Sequence, residues 1–93
     1  MSPPEEAILV AQARRGDLRA LGSLISLHQG AVRSFLRRLT GNPSASDDIA
    51  QEAFCVAFEK LSSFAGNASF RSYVCGIAYR VWREQYRSRR RRE

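Results

Sequence analysis

Apolar side chains recur along this chain at three- and four-residue steps, and they do not alternate with polar ones at the two-residue period of a strand. The longest stripe holds Leu18, Leu21, Ile25, His28, Val32, Phe35, Leu36 and Leu39, and Asp17 just ahead of it can cap the helix it implies. Local signals bracket three more helices. Ser2-Pro3-Pro4-Glu5 opens a short first helix expected to run to Arg15 and stop at Gly16. Thr40-Gly41-Asn42-Pro43 ends the second helix and starts the third, which should run from about Pro43 to Leu61 with Ile49, Ala53, Phe54, Ala57 and Leu61 inward. Ser62 to Ala68 reads as a flexible connection. Ser69 then caps a fourth helix whose stripe is Phe70, Tyr73, Val74, Ile77, Ala78, Val81 and Trp82. Past Trp82 come Arg83, Arg87 and Arg89 to Arg92, and residues 84–93 are expected to fray or extend as a tail because like charges repel. The expected fold is all-α: a compact four-helix domain around one core.

A length of 93 residues bounds the chain to one such domain and leaves little material for an enclosed catalytic cleft. The formal net charge of +6 asks for an acidic partner, either nucleic acid or anionic lipid. Fourteen of the fifteen basic residues are Arg, which suits bidentate phosphate contacts, although a GC-rich coding sequence produces the same bias. No segment approaches the roughly 18 apolar residues of a membrane span and there is no basic leader, so a soluble, cytoplasmic protein without membrane insertion is expected.

Catalytic chemistry has little to stand on. His28 falls on the apolar stripe, where a packed histidine is the simpler reading than a general base. Ser62 and Ser63 have no neighbouring histidine to activate them, and Asp47, Asp48 and Glu52 lack the spacing of a calcium loop. Cys55 and Cys75 lie twenty residues apart with no CxxC partner or histidine cluster, which suggests two reduced, partly buried thiols rather than a zinc site. The sequence therefore offers no catalytic residue, metal site or cofactor site, and reads as a non-enzyme.

Two constellations remain. On helix three Asp48, Gln51, Glu52 and Cys55 cluster within two turns, with Glu59 near the same face. Their sign opposes that of the whole chain, which makes them either a solvated face or a docking site for a basic partner. Around helix four, Phe64, Phe70, Tyr73, Tyr79, Trp82 and Tyr86 interleave with Arg71, Arg80, Arg83 and Arg87. Aromatic faces stack on unpaired bases and arginines track phosphates, although half of these rings are also needed for the core.

The runs DDIAQEAFCVAFEKLSSF and FAGNASFRSYVCGIAYRVWREQYRSRRRR resemble region 2 of the bacterial sigma factors, specifically the extracytoplasmic-function group. The upstream LVAQARRGDLRALGSLISLHQGAVRSFLRRLTGNPSASDD is similar to the same domain, so the resemblance covers nearly the whole chain. It implies a transcription-initiation factor whose helix over residues 43–61 binds the coiled coil of core RNA polymerase through Asp48, Gln51 and Glu52. It further implies that residues 62–83 hold the unpaired non-template strand of the promoter's minus-ten element, with one base flipped into a pocket of the loop that carries Phe64 and Asn67. The nucleic-acid set is then Phe64, Asn67, Phe70, Arg71, Tyr73, Arg80, Arg83 and Arg87, and an anti-sigma factor is a further implied partner. Gly76-Ile77 stands where housekeeping members carry a Trp pair, implying weaker intrinsic melting. Arg80 replaces the Asn of many extracytoplasmic-function members, and Gly76 replaces an Arg. The second DNA-binding domain of the family, which reads the minus-thirty-five element, is absent from these 93 residues, as in a fragment or an unusually short member. Two rival readings stay open: a helical module sequestered by an anti-sigma regulator, and a basic protein that meets RNA or a membrane surface through its Arg-rich tail.

Overall fold

A computed structural model describes residues 3–66 and 68–92. Four α-helices, α1 (Pro3–Arg14), α2 (Leu18–Thr40), α3 (Pro43–Glu59) and α4 (Phe70–Arg92), are joined by short turns, with a single 3-10 turn over Leu61–Ser63. No strand occurs among the described residues, so the architecture is the all-α, four-helix domain expected.

The helix ends sit where short-range chemistry puts them. The Asp17 carboxylate accepts from the backbone N–H groups of Arg19 and Ala20 at 3.0 and 3.3 Å. Gly41 closes α2 in the left-handed conformation, φ 65°, and its N–H donates to Arg37 O at 2.9 Å. Asn42 then caps α3 by accepting from Ala45 N–H at 3.1 Å, with Pro43 in the first helical position. The fully buried Ser46 is satisfied in that corner, its hydroxyl donating to Asn42 O at 2.8 Å and lying 2.8 Å from Thr40 Oγ1. Ser69 accepts from Ser72 N–H at 3.1 Å and so caps α4. The cap expected from Ser2 lies outside the described residues.

The core is a line of side chains from each helix: Val10 and Ala13 on α1, Leu24, Val32 and Leu36 on α2, Ile49, Ala53, Phe54 and Ala57 on α3, and Phe70, Val74, Ile77 and Ala78 on α4. The α2 stripe is rotated from the sequence reading. Leu18 is 69% exposed while Leu24 is completely buried. Six residues at about 100° each set these two roughly 120° apart around the helix, and the partners of α2 select the line Ala20, Leu24, His28, Val32, Leu36. Small residues at Ala20 and Ala50 belong to the buried set and let backbones approach.

Helix α1 ends at Arg14, one residue short of expectation, and two boundaries differ by more. Helix α3 ends at Glu59 rather than Leu61, because Leu61 turns inward to 3% exposure and the chain tightens into the 3-10 turn, with Phe64 N–H donating to Leu61 O at 3.1 Å. The connection therefore opens with a 3-10 turn. At the other end, the basic run is helical through Arg92 instead of splaying as a tail. Arginine is a good helix former, and the run is braced by Trp82 stacked on Tyr86 at 5.6 Å and by the Arg90 guanidinium 5.8 Å above the Tyr86 ring. From Arg83 to Arg91 every residue except Ser88 is exposed, so this stretch of α4 carries its arginines into solvent.

Candidate functional site

On α3, residues Asp48, Gln51, Glu52 and Cys55 are all exposed, as expected of an outward face. The neighbouring helices divide them. Asp48, Gln51 and Cys55 border a groove of about 340 Å³ between α2 and α3, whose floor is apolar: Leu21, Ile25, Phe54 and Phe58. Arg33 Nε lies 3.4 Å from Asp47 Oδ1 across this groove, close enough for ion pairing but without hydrogen-bond alignment. Glu52 faces the opposite side, into a groove between α3 and α4 that it shares with Val56, Tyr73, Ile77 and Arg80. An apolar floor with a polar rim is the composition of a protein-docking surface. The sequence reading found the rim and missed the α2 half and the half-exposed Phe58, whose signal was an aromatic residue out of phase with the buried stripe.

The aromatic residues separate into two groups. Phe64, in the connection, is only 8% exposed; its ring stacks on Tyr73 at 4.6 Å and meets the edge of Phe70 at 6.1 Å, while the Arg14 guanidinium sits 5.8 Å above it. Phe70 is 1% exposed and belongs to the core. The Tyr73 hydroxyl donates to Ala57 O at 2.9 Å, which fastens α4 to α3. Burial pushes the Tyr73 phenol above its ordinary range, partly offset by Arg80 and Arg14. These three rings pack on one another and hold the connection against the bundle, with Tyr73 half-buried and Phe64 and Phe70 buried. More exposed rings lie further along, where Tyr79, Trp82 and Tyr86 form a ladder with centroid separations of 5.8 and 5.6 Å, beside Arg83, Arg87, Arg90 and Arg91.

Arg71, Arg80, Arg83 and Arg87 are exposed on α4. Arg80 folds back along its own helix, its Nε donating to Gly76 O at 3.4 Å and its guanidinium lying 4.0 Å from the point a Cβ at Gly76 would occupy. The absent side chain at Gly76 is thus covered by the Arg80 head one turn away. Between α1 and the connection runs a cleft of about 400 Å³ lined by Glu6, Val10, Arg14, Phe64, Gly66 and Ser69. Gly66 turns the backbone there with φ 79°. Asn67, expected in the same loop, lies outside the described residues.

His28 is a packed histidine, 7% exposed, with Nε2 2.8 Å from Glu6 Oε1. The cysteines differ from each other: Cys55 is exposed, a correction to the expectation of two partly buried thiols, because its α3 face is the outward one. Cys75 is half-buried, and burial pushes its thiol up, with Arg71 acting in the other direction. Among the described residues no three His, Cys, Asp or Glu side chains gather as a metal site, and no helix is long and apolar enough to cross a membrane.

An all-helical bundle with an acid-rimmed apolar groove on one helix and an arginine-studded helix beside it agrees with known sequences. The family described as Sigma-70 region 2 matches residues 24–92, and the chain belongs to that family. It is 35% identical over 92 residues to the RNA polymerase sigma factor CnrH of Cupriavidus metallidurans, a match covering 97% of this chain and 48% of the relative. It is 28% identical over 92 residues to the RNA polymerase sigma-H factor of Pseudomonas aeruginosa, covering 99% of this chain and 48% of that protein. With the ECF RNA polymerase sigma-E factor of Escherichia coli it shares 34% identity over 74 residues, 78% of this chain and 38% of the relative. The chain spans about half the length of the first two relatives. No solved structure matches.

Proposed function

We propose that this chain is the promoter-melting domain of an extracytoplasmic-function sigma factor, which docks on core RNA polymerase and grips the unpaired non-template strand of the minus-ten element. It acts without catalysis or cofactor, as a specificity subunit in the cytoplasm. The observation that carries this reading is the family match over residues 24–92, on a bundle whose outer α3 face is acidic and whose α4 is basic. Docking is assigned to the α3 patch, with Asp48 and Gln51 on the α2 side and Glu52 on the α4 side. Strand binding is assigned to the exposed Arg71, Arg80, Arg83 and Arg87 and to the cleft that Phe64, Gly66 and Ser69 line, with Asn67 added on the family resemblance alone. Phe64, Phe70 and Tyr73 serve the strand by shaping that cleft, since their rings are engaged with one another.

Charge reversal tests the docking half. Asp48→Lys and Glu52→Lys should each weaken capture of core RNA polymerase by about 2 kcal/mol or more if the contact is desolvated, with the fold intact because both residues are exposed. Unchanged polymerase affinity in both folded variants would remove the α3 patch from the account. The apolar floor between α2 and α3 favours a second partner on the same surface, an anti-sigma regulator. That reading predicts competition between such a regulator and core polymerase for one patch.

A further inference from the structure

Glu6 on α1 reaches two other helices at once. Its Oε1 lies 2.8 Å from His28 Nε2 on α2, and its Oε2 accepts at 3.4 Å from the backbone N–H of Phe70, the first residue of α4. On the far side of the imidazole, Arg71 Nε donates to His28 Nδ1 at 3.5 Å. The ring is 7% exposed and packs against Phe70 with centroids 5.7 Å apart. These contacts define its state. With Nδ1 accepting from the guanidinium, Nε2 is the ring nitrogen that bears the hydrogen and donates a hydrogen bond to the Glu6 carboxylate. A carboxylate–imidazole–guanidinium relay therefore runs from α1, past the core, to an exposed arginine at the head of α4.

We propose that Glu6 and His28 are positioning residues for the single-strand interface, setting both the Arg71 side chain and the first turn of α4. The inference rests on the promoter-binding reading above, in which Arg71 meets the strand. It brings α1 into that interface, although α1 lies outside the residues 24–92 that match the family. The physical advantage is preorganisation. Arginine loses much rotamer freedom when it grips a phosphate, and an anchored Nε reduces that loss while the terminal nitrogens stay available. The Glu6 carboxylate also meets one of the backbone donors that the start of α4 leaves without a helical partner, and its negative charge suits that end of the helix.

The relay is tested by measuring affinity for a single-stranded minus-ten oligonucleotide as a function of salt, with thermal melting as the fold check. His28→Phe keeps a ring against Phe70 and removes both nitrogens; Glu6→Gln removes the charge. Each should lower affinity about three- to ten-fold, as Arg71→Ala should, and Arg71→Ala should also reduce the salt slope by about 0.7. In an Arg71→Ala background each change should lose most of its effect, leaving only the part that acts through the Phe70 N–H at the first turn of α4. His28→Gln, which keeps one donor and one acceptor, should restore most of the affinity, and with Glu6→Gln it carries the test if His28→Phe does not fold. Core-polymerase capture should stay as in the wild type throughout. A folded His28→Phe or Glu6→Gln chain that binds the strand like wild type, or that loses the same factor with and without Arg71, overturns the relay. A wild-type chain that ignores the strand overturns the promoter reading itself and the relay with it.

Discussion

Tyr73 ties three parts of the molecule through one side chain, its ring stacked on Phe64 of the connection and its hydroxyl donating to Ala57 O of α3. Burial lifts its phenol above the ordinary 10.0, so as pH rises the unfolded phenol ionises first and the folded one later. The stability this bond contributes is complete below pH 10 and is lost above it; Cys75, lifted above 9.0 by burial, adds a loss that starts nearer pH 9. Urea unfolding of wild type and Tyr73→Phe should differ by about 1 kcal/mol at pH 7, and the gap should close above pH 10. A gap that persists at pH 11 contradicts the assignment. Phe64→Ala opens a hole under the same connection and should cost about 3 kcal/mol, a fall in melting temperature of more than about 10 °C. Arg80 is separable from both, being exposed. If it reads a base, Arg80→Asn should shift minus-ten preference by about 1 to 3 kcal/mol, whereas an equal loss for all sequences would make it a phosphate contact. The sequence showed Phe64 as a loop aromatic but not its burial, because the residues that cover it, Arg14, Phe70 and Tyr73, come from other elements.

At the scale of elements, what was legible was local. Asp17, Asn42 and Ser69 cap their helices through contacts within three residues, so their chemistry is written beside them. The phase of α2 was not, since Leu18 and Leu24 are equally apolar and only the packing of α1, α3 and α4 decides which faces inward. The same holds for the proposed docking patch, where spacing alone gathers Asp48, Gln51 and Glu52 and the flanking grooves part them. Glycines give the sharpest test of helix geometry. Gly22 and Gly30 sit inside α2 with nothing beyond their own stretch of helix backbone within 4 Å of the point a Cβ would occupy, so Gly22→Ala and Gly30→Ala should each stabilise by about 0.5 to 1 kcal/mol. Gly41→Ala should destabilise instead, because φ 65° strains any side chain there. Denaturant midpoints that move the same way for all three would contradict the cap geometry.

Over the whole molecule, the +6 charge is unevenly spread: exposed acids line α3, and the exposed arginines of α4 run on past Ala78, the last buried one among the described residues. In the proposed reading, opposite charge on adjacent helices gives the protein partner and the nucleic acid separate surfaces on one small bundle. The most direct measurement is paired binding: core RNA polymerase on one arm and single-stranded non-template minus-ten DNA on the other, for wild type, Asp48→Lys and a chain with Arg83 and Arg87 changed to Ser. The account predicts that Asp48→Lys loses polymerase and keeps the strand, while the arginine variant keeps polymerase and loses about 1.4 units of salt slope on the strand, two phosphate contacts at about 0.7 each. Polymerase and strand binding that fall together in both folded variants, or that do not fall in either, would contradict it.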